Sequence, residues 1–370
     1  MNKLKQIPIV HVNTADSWRG GEKQTYYLTS CLNQKGYLSS CICREGSPLH
    51  EKLRDNRLPC FPVKIFYGID VLTGKKIAGI LKRTGAGILH LHTAHSHSAG
   101  YLSSFFYRVP VNIVSRRVDF HIKKNLFSRL KYNYPDKYVT VSGAIRDILV
   151  SDGIPAEKIK VVHSGVDLDA YKNIESGYLY KEFAFINNIK KKVKLVNVAA
   201  LTPQKDQATL IKAIAIAVKQ FSNLVLFIAG EGKLKDPLTK LRDSLGLKEH
   251  IVFTGFRNDA FNLTDFADIF VMSSRWEGLG TSIIDAMALK KPVIAANTGG
   301  IPELVRDREN GLLIEKENPE ALAGAIVALI KNKSLRKKLS ARAFRDAQGF
   351  SIKETVAKTI EVYGELCGLH

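Results

Sequence analysis

Residues 272–305 read MSSRWEGLGTSIIDAMALKKPVIAANTGGIPELV. The apolar run Asp268–Met272 that leads into this stretch reads as a strand. A turn carrying Trp276-Glu277-Gly278-Leu279-Gly280 follows, then a helix from about Thr281, then a second strand at Pro292–Ala296. Strand, glycine-rich turn, helix and strand make one βαβ unit, which requires parallel strands. A glycine turn that opens a helix presents free backbone N–H groups at the positive end of the helix dipole. It has no Cβ to hold an anion away, so it suits a phosphate. Glu277 stands in the turn and Asp285 just over one helical turn inside. There an acceptor-only carboxylate suits the paired hydroxyls of a ribose or another sugar. Taken alone, the same residues fit a structural glycine bend with Asp285 on an exposed helix face.

The alternation extends in both directions from this stretch. Strand-like runs occur at Ile7–Val12, Leu38–Cys43, Cys60–Val63, Gly87–His92, Val111–Ser115, Lys137–Val141 and Ile159–His163. A second series comprises Val193–Ala199, Asn223–Ala229 and Ile251–Thr254 with the two runs already named. Helix-length segments separate them, so the fold class is α/β with two doubly wound parallel-sheet, Rossmann-like domains. The expected organisation is a domain over 1–168, a linker over 169–192 that lacks periodicity and ends in a lysine run, and a domain over 193–350. The segment 351–370 reads as a helix with no following strand, placed to cross back to the first domain. Two such domains facing across a cleft would bind ligands in the loops that follow their strands.

Composition supports this reading. The 370 residues are 45% hydrophobic and 24% charged, which excludes a disordered or collagen-like chain and fills two cores. The five cysteines (Cys31, Cys41, Cys43, Cys60 and Cys367) are odd in number and contain no CxxC pair, so neither a disulfide framework nor a zinc site is indicated. A reducing cytoplasm is the simplest compartment. The N-terminal apolar stretch is strand-like rather than a secretory leader, and no apolar run approaches the ~20 residues that span a bilayer. The formal charge of +20 points to anionic partners without bearing on fold.

Segment 272–305 resembles the signature of the GT-B glycosyltransferases of family 4, S-x-x-E-G-x-G-x-x-x-x-E-A-M-A-x-x-x-P-V-I-A-x-x-x-G-G-x-P-E. It matches at Ser274, Glu277, Gly278, Gly280, Ala286-Met287-Ala288, Pro292-Val293-Ile294, Gly299, Gly300, Pro302 and Glu303. Three further segments agree in order: Trp18–Glu22 with its Gly20-Gly21 pair, Val141–Asp167, and the Leu201–Lys205 phosphate loop. The resemblance implies a GT-B fold and a retaining transfer of sugar from a nucleotide-sugar donor, without a metal or other cofactor. It implies donor contacts at Gly20, Gly21, Lys205, Glu277, Gly278, Leu279, Gly280, Thr281, Ser282 and Asp285. Glu277, Lys205, Arg117 and His92 are the candidate catalytic group. Physically, the leaving diphosphate gains negative charge, which Lys205 and fixed helix amides can stabilise.

Three positions depart from the family pattern. Asp285 replaces the usual Glu and is one methylene shorter. Ala200 replaces an Arg that pairs with the diphosphate, a charge that Arg19 or Arg275 would have to supply. Arg117 replaces a histidine that contacts the donor sugar, and its charge would suit an anionic sugar or phosphorylated acceptor. The loop around Arg257–Asp259 is expected at the base, with uracil, guanine and adenine all open.

Two other signals bear on partners. Leu89–His97, LHLHTAHSH, holds four histidines, but strand and helix geometry keeps one face from gathering all four, so no metal is expected; His92 and His95 are placed at the strand end. Residues 116–137 mix basic and apolar side chains. On a helix from about Lys123, the stripe Leu126, Phe127, Leu130 and Tyr134 flanked by Lys123, Lys124, Arg129 and Lys131 suits an anionic membrane surface, or else an ordinary helix with its stripe in the core. Residues 1–170 carry 25 basic and 13 acidic side chains, and 171–370 carry 30 and 22. The expected acceptor is a cell-envelope glycan or lipid-linked sugar, as in lipopolysaccharide or polysaccharide synthesis, at the inner face of the cytoplasmic membrane. The competing readings are an NAD-binding protein and a nucleic-acid-binding protein. The first lacks G-x-G-x-x-G after the first strand, where the chain reads NTADSWRGGEKQ; the second lacks any recognition signature.

Overall fold

The computed structural model describes residues 3–65, 70–123 and 125–369. The chain divides into two compact units, residues 1–165 with 352–370, and residues 166–351. In the first, strands β1 (Ile9–Asn13), β2 (Ser39–Arg44), β3 (Cys60–Val63), β4 (Ile88–Leu91), β5 (Val111–Arg116), β6 (Lys137–Thr140) and β7 (Ile159–Val161) form a parallel sheet in the order β3-β2-β1-β4-β5-β6-β7. In the second, β8 (Val193–Val198), β9 (Leu224–Ala229), β10 (Ile251–Gly255), β11 (Ile269–Met272), β12 (Val293–Ala296) and β13 (Leu312–Ile314) run parallel in the order β10-β9-β8-β11-β12-β13. Each expected strand run is present. The additional β13 is a three-residue edge strand, too short to show a period.

Both orders reverse beside the first strand of their unit, between β1 and β4 and between β8 and β11. In open α/β sheets the loops leaving the two strands at such a reversal diverge to opposite faces and leave a crevice at the carboxyl ends. The inner strands are buried on both faces, and their near-continuous apolar runs follow from that (β9, LVLFIA, is buried throughout). In the second unit Leu195, Ile211, Ile214, Leu226, Ile228 and Ile326 share one core.

Residues 169–192 differ from the linker expected there. Leu179, Phe183, Ile186 and Ile189 are buried, and Phe183 packs against Phe227 of β9 at 4.6 Å between ring centroids. The apolar residues of this stretch follow no single period because short turns, not one helix, bring them inward. The helix Ile352–Leu366 belongs to the first unit, where Ile352, Val356, Val362 and Tyr363 share a core with Ile9, Ile88 and Ile113. No helix among the described residues is long and apolar enough to cross a membrane.

Tyr363 is fully buried, and its hydroxyl is 2.7 Å from His90 Nδ1 on β4. Removing the hydroxyl leaves a buried nitrogen without that partner, at a cost of about 1–3 kcal/mol. Tyr363→Phe should therefore lower the thermal midpoint measurably in a melting scan while keeping the far-ultraviolet spectrum; an unchanged midpoint would contradict this role for the contact.

Candidate functional site

In the second unit the site is built where β8 and β11 end. After β8 the chain passes Ala199–Thr202 into the turn Pro203–Lys205, and Asp206 then adopts φ +46° and caps the helix Gln207–Gln220 through Thr209. After β11, Ser273 Oγ donates to the carbonyls of Lys205 (3.1 Å) and Asp206 (3.0 Å). The Arg275 amide donates to Gln204 O at 2.9 Å. These bonds tie the two strand-end loops together and bring Lys205 onto Glu277, with which it forms an ion pair. Ser274 Oγ donates to the same carboxylate oxygen at 3.3 Å. Glu277 is only 8% exposed, so its charge is held by these two partners rather than by water.

The turn then reaches Gly280 at φ +90°, the residue preceding the helix Thr281–Ala288. No side chain caps this helix, so the amides of Thr281 and Ser282 stand at its positive end without an intrahelical acceptor. Gly299 closes the site from behind. At φ +53° its Cβ would lie 1.9 Å from Glu277 O, and the neighbouring Gly300 amide donates to that oxygen at 3.0 Å. Gly299 of the motif is thus a packing requirement for the Glu277 turn.

Asp285 lies one turn into the same helix, and Tyr171 donates its hydroxyl to Asp285 Oδ1 at 2.5 Å. The Tyr171 ring stands edge-on to Phe261, 5.0 Å away. Sequence reasoning missed Tyr171, because it lies in the stretch without periodicity. Ala200 presents only its carbonyl, to Gln207 Nε2 at 3.1 Å. Arg275 is paired with Asp206 at 3.3 Å and Glu317 at 3.1 Å. Arg257 is gripped by Glu182 and Asp259, which raise its pKa.

In the first unit Gly20 and Gly21 begin the helix Gly20–Gln34, and Glu22 accepts the Arg19 amide at 2.9 Å. Arg117, just after β5, lies beneath this turn: a Cβ on Gly21 would sit 3.6 Å from its Cδ. Its Nη1 donates to Ser164 Oγ at 2.9 Å. Burial lowers the Arg117 pKa to about 10, opposed by the nearby Glu22 charge, and burial likewise raises that of Glu22. His92 directly follows β4, with its Nε2 3.1 Å from His11 Nδ1, and its ring stacks on His90 at 4.2 Å. His90 Nε2 is 2.8 Å from Ser115 Oγ. His11, missed from sequence because it lies 81 residues from His92, completes a group of three imidazoles with nitrogens within 4.8 Å. Of the other two histidines in LHLHTAHSH, His97 is buried against the Lys131 carbonyl, whereas His95 is exposed beside Thr14 and Thr73.

Burial lowers His11 and His97 to about 3, and His90 and His92 well below their ordinary value. Histidines titrate near 6.5 when unfolded, so below that pH the unfolded chain binds more protons than the folded one. Their contribution to stability is complete above about pH 6.5 and is lost as pH falls toward 3. His97→Gln, which keeps a donor for the Lys131 carbonyl, should reduce the pH dependence of stability between pH 6 and 4 by up to one proton, about 1.4 kcal/mol per pH unit. Denaturant titrations at several pH values check this; an identical slope would contradict it.

Comparison with known proteins places these two constellations in one context. The family model described as glycosyl transferases group 1 matches residues 180–346, and that described as glycosyltransferase family 4 matches residues 18–170. The chain is 30% identical over 314 residues to the uncharacterized glycosyltransferase MJ1178 of Methanocaldococcus jannaschii, covering 82% of this chain and 83% of that one. It is 23% identical over 376 residues, 97% of both chains, to the UDP-Gal:alpha-D-GlcNAc-diphosphoundecaprenol alpha-1,3-galactosyltransferase of Escherichia coli. A match to the putative glycosyltransferase EpsD of Bacillus subtilis, 36% identical over 169 residues, spans less than half of each protein (46% of this chain, 44% of EpsD). Among solved structures, Anabaena Alr3699/HepE in complex with UDP superposes with a TM-score of 0.85 at 20% identity, covering 97% of this chain and all of that one.

Proposed function

The chain belongs to the group 1 glycosyltransferases of family 4, with the GT-B fold, and we propose that it transfers a sugar from a nucleotide-sugar donor with retention of anomeric configuration and without a divalent metal. The carrying observation is the meeting of the β8 and β11 loops, which sets the Lys205–Glu277 pair beside the glycine-bounded helix start at Thr281. In this reading the diphosphate lies against the Gly278–Ser282 backbone, and Lys205 faces its outer oxygens. As the glycosidic bond breaks, charge develops on the leaving diphosphate. The fixed amides and the ammonium are already oriented to receive it, so little reorganisation is needed at that moment. Two features support transfer without a metal: a lysine and a helix terminus, both cationic in effect, stand where the charge appears.

Glu277 retains a second carboxylate oxygen for hydroxyls of the donor sugar, beyond the one shared by Lys205 and Ser274. Asp285 is assigned to the ribose, with Tyr171 holding one of its oxygens and thereby fixing the shorter side chain. In the first unit, Gly20 and Gly21 let backbone approach the donor, and Arg117 and the neutral His92 supply a cation and a neutral imidazole at the strand ends. The acceptor is a cell-envelope glycan or lipid-linked sugar, reached from the cytoplasmic side. Support comes from the E. coli relative, whose name specifies a diphosphoundecaprenol-linked acceptor.

Thermal scans with UDP, GDP, ADP and CMP test the donor assignment, UDP first because the E. coli relative is named for UDP-Gal and the Anabaena structure is a complex with UDP. At 100 times its Kd a ligand adds about 2.7 kcal/mol, a rise of roughly 5–10 °C for a unit of this size. One nucleotide should give that rise, and Lys205→Ala should abolish it. No rise with any of the four would overturn the reading.

A further inference from the structure

Arg275 precedes Glu277 by two residues in the β11 loop, and every polar part of it is engaged with another strand-end loop of the second unit. Its amide donates to Gln204 O after β8 at 2.9 Å, and its carbonyl accepts Thr298 Oγ1 after β12 at 2.8 Å. Its Nε lies 3.3 Å from Asp206 Oδ2, again after β8. The same Nε lies 3.1 Å from Glu317 Oε1, between β13 and the helix Pro319–Lys331. One residue thus joins the loops that follow β8, β12 and β13.

Both carboxylate partners of Arg275 stand on left-handed backbone. Among the described residues six non-glycine residues have positive φ, and two of them are Asp206 at +46° and Glu317 at +59°. A side chain other than glycine's adopts this conformation at a cost, so the surroundings must hold it there. The Asp206 carboxylate contributes by capping the helix Gln207–Gln220 through Thr209. That carboxylate is only 2% exposed, however, and a buried anion needs a cation beside it; Arg275 is the cation paired with it. Asp206 directly follows Lys205, so its backbone sets the direction in which Lys205 leaves the turn. The side chains of Lys205 and Glu277 are 18% and 11% exposed, and an ion pair so enclosed tolerates little displacement of either partner.

We propose that Arg275 is a positioning residue: through Asp206 it holds Lys205 on Glu277, and it does not itself touch the donor. The proposal rests for its purpose on the reading of that pair as the diphosphate site. It gives Arg275 a different part from direct replacement of the charge absent at Ala200. A guanidinium flanked by two carboxylates has little positive field left for a phosphate, whereas Lys205 shares its charge with one. The cation lost at position 200 is therefore answered by a tighter hold on the cation that remains.

The test is the rate at which acetic anhydride, at limiting concentration, acetylates Lys205 in the full chain without any donor, read by peptide mass spectrometry. Lys194, 8% exposed on β8 of the same unit, reports general loosening. Arg275→Met and Asp206→Asn should each speed Lys205 by ~5-fold or more through local opening and leave Lys194 within ~2-fold of wild type. Asp206→Asn keeps a cap for Thr209 and a side chain that tolerates positive φ, so it folds even where Arg275→Met leaves an unpaired buried anion. The double variant should exceed neither single one, because the two residues act as a pair. Arg275→Lys, which keeps the cation, should bring Lys205 back toward the wild-type rate. Lys205 unmoved in Asp206→Asn, or Lys205 and Lys194 accelerating together, would overturn the inference. Where UDP binds the wild type, both single variants should weaken it by ~10-fold. A loss in Arg275→Met alone would mean direct contact with the donor and would also overturn the positioning role. A wild type that responds to no nucleotide, with Lys205 still freed by both variants, would support the inference and sink the transfer reading instead.

Discussion

The second unit is organised around the ion pair between Lys205 and Glu277. Neither residue is useful alone. A carboxylate at 8% exposure is unfavourable unless a cation and a hydrogen-bond donor compensate it, and the pair exists only because Ser273 and the Arg275 amide fasten the β11 loop onto the β8 loop. That fastening is possible because β8 and β11 are adjacent where the strand order reverses. The tight approach of Gly299 to the Glu277 carbonyl then fixes the turn from the other side. Sheet topology, loop hydrogen bonds and one buried charge pair are therefore a single arrangement, and the helix start at Thr281 takes its position from it.

The first unit uses burial differently. Its polar interior, Arg117 with Glu22 and the stacked His90 and His92 with His11, lies between the sheet and helices that include Ile352–Leu366. Burial keeps the imidazoles neutral, so they offer hydrogen-bond donors and acceptors without charge, while Arg117 remains the local cation. The combination suits recognition of polar, anionic chemistry at the strand ends, and it makes this unit sensitive to acid.

Most of the architecture was legible in the sequence, because buried parallel strands announce themselves as apolar runs between helices. The exception, β13, is an edge strand of three residues, LLI, with no period to read. The Glu277–Gly280 turn and its helix were legible for a local reason: glycine, carboxylate and helix start lie within a dozen residues. Tyr171 and His11 were not, since each meets its partner across 114 and 81 residues respectively, and no local pattern encodes such a pairing. The helix at Leu126–Asn133 shows a subtler limit. Its apolar positions were visible, but which of them face the core depends on Tyr101, a residue of another helix.

The most direct test of the Lys205-centred, metal-free donor site is calorimetric titration of the matching nucleoside diphosphate into EDTA-treated wild-type chain and into Lys205→Met. The account predicts an affinity that EDTA leaves unchanged and that the variant loses by ~10-fold or more, about 1.4 kcal/mol. Binding that disappears with EDTA, or that survives unchanged in Lys205→Met, would contradict it.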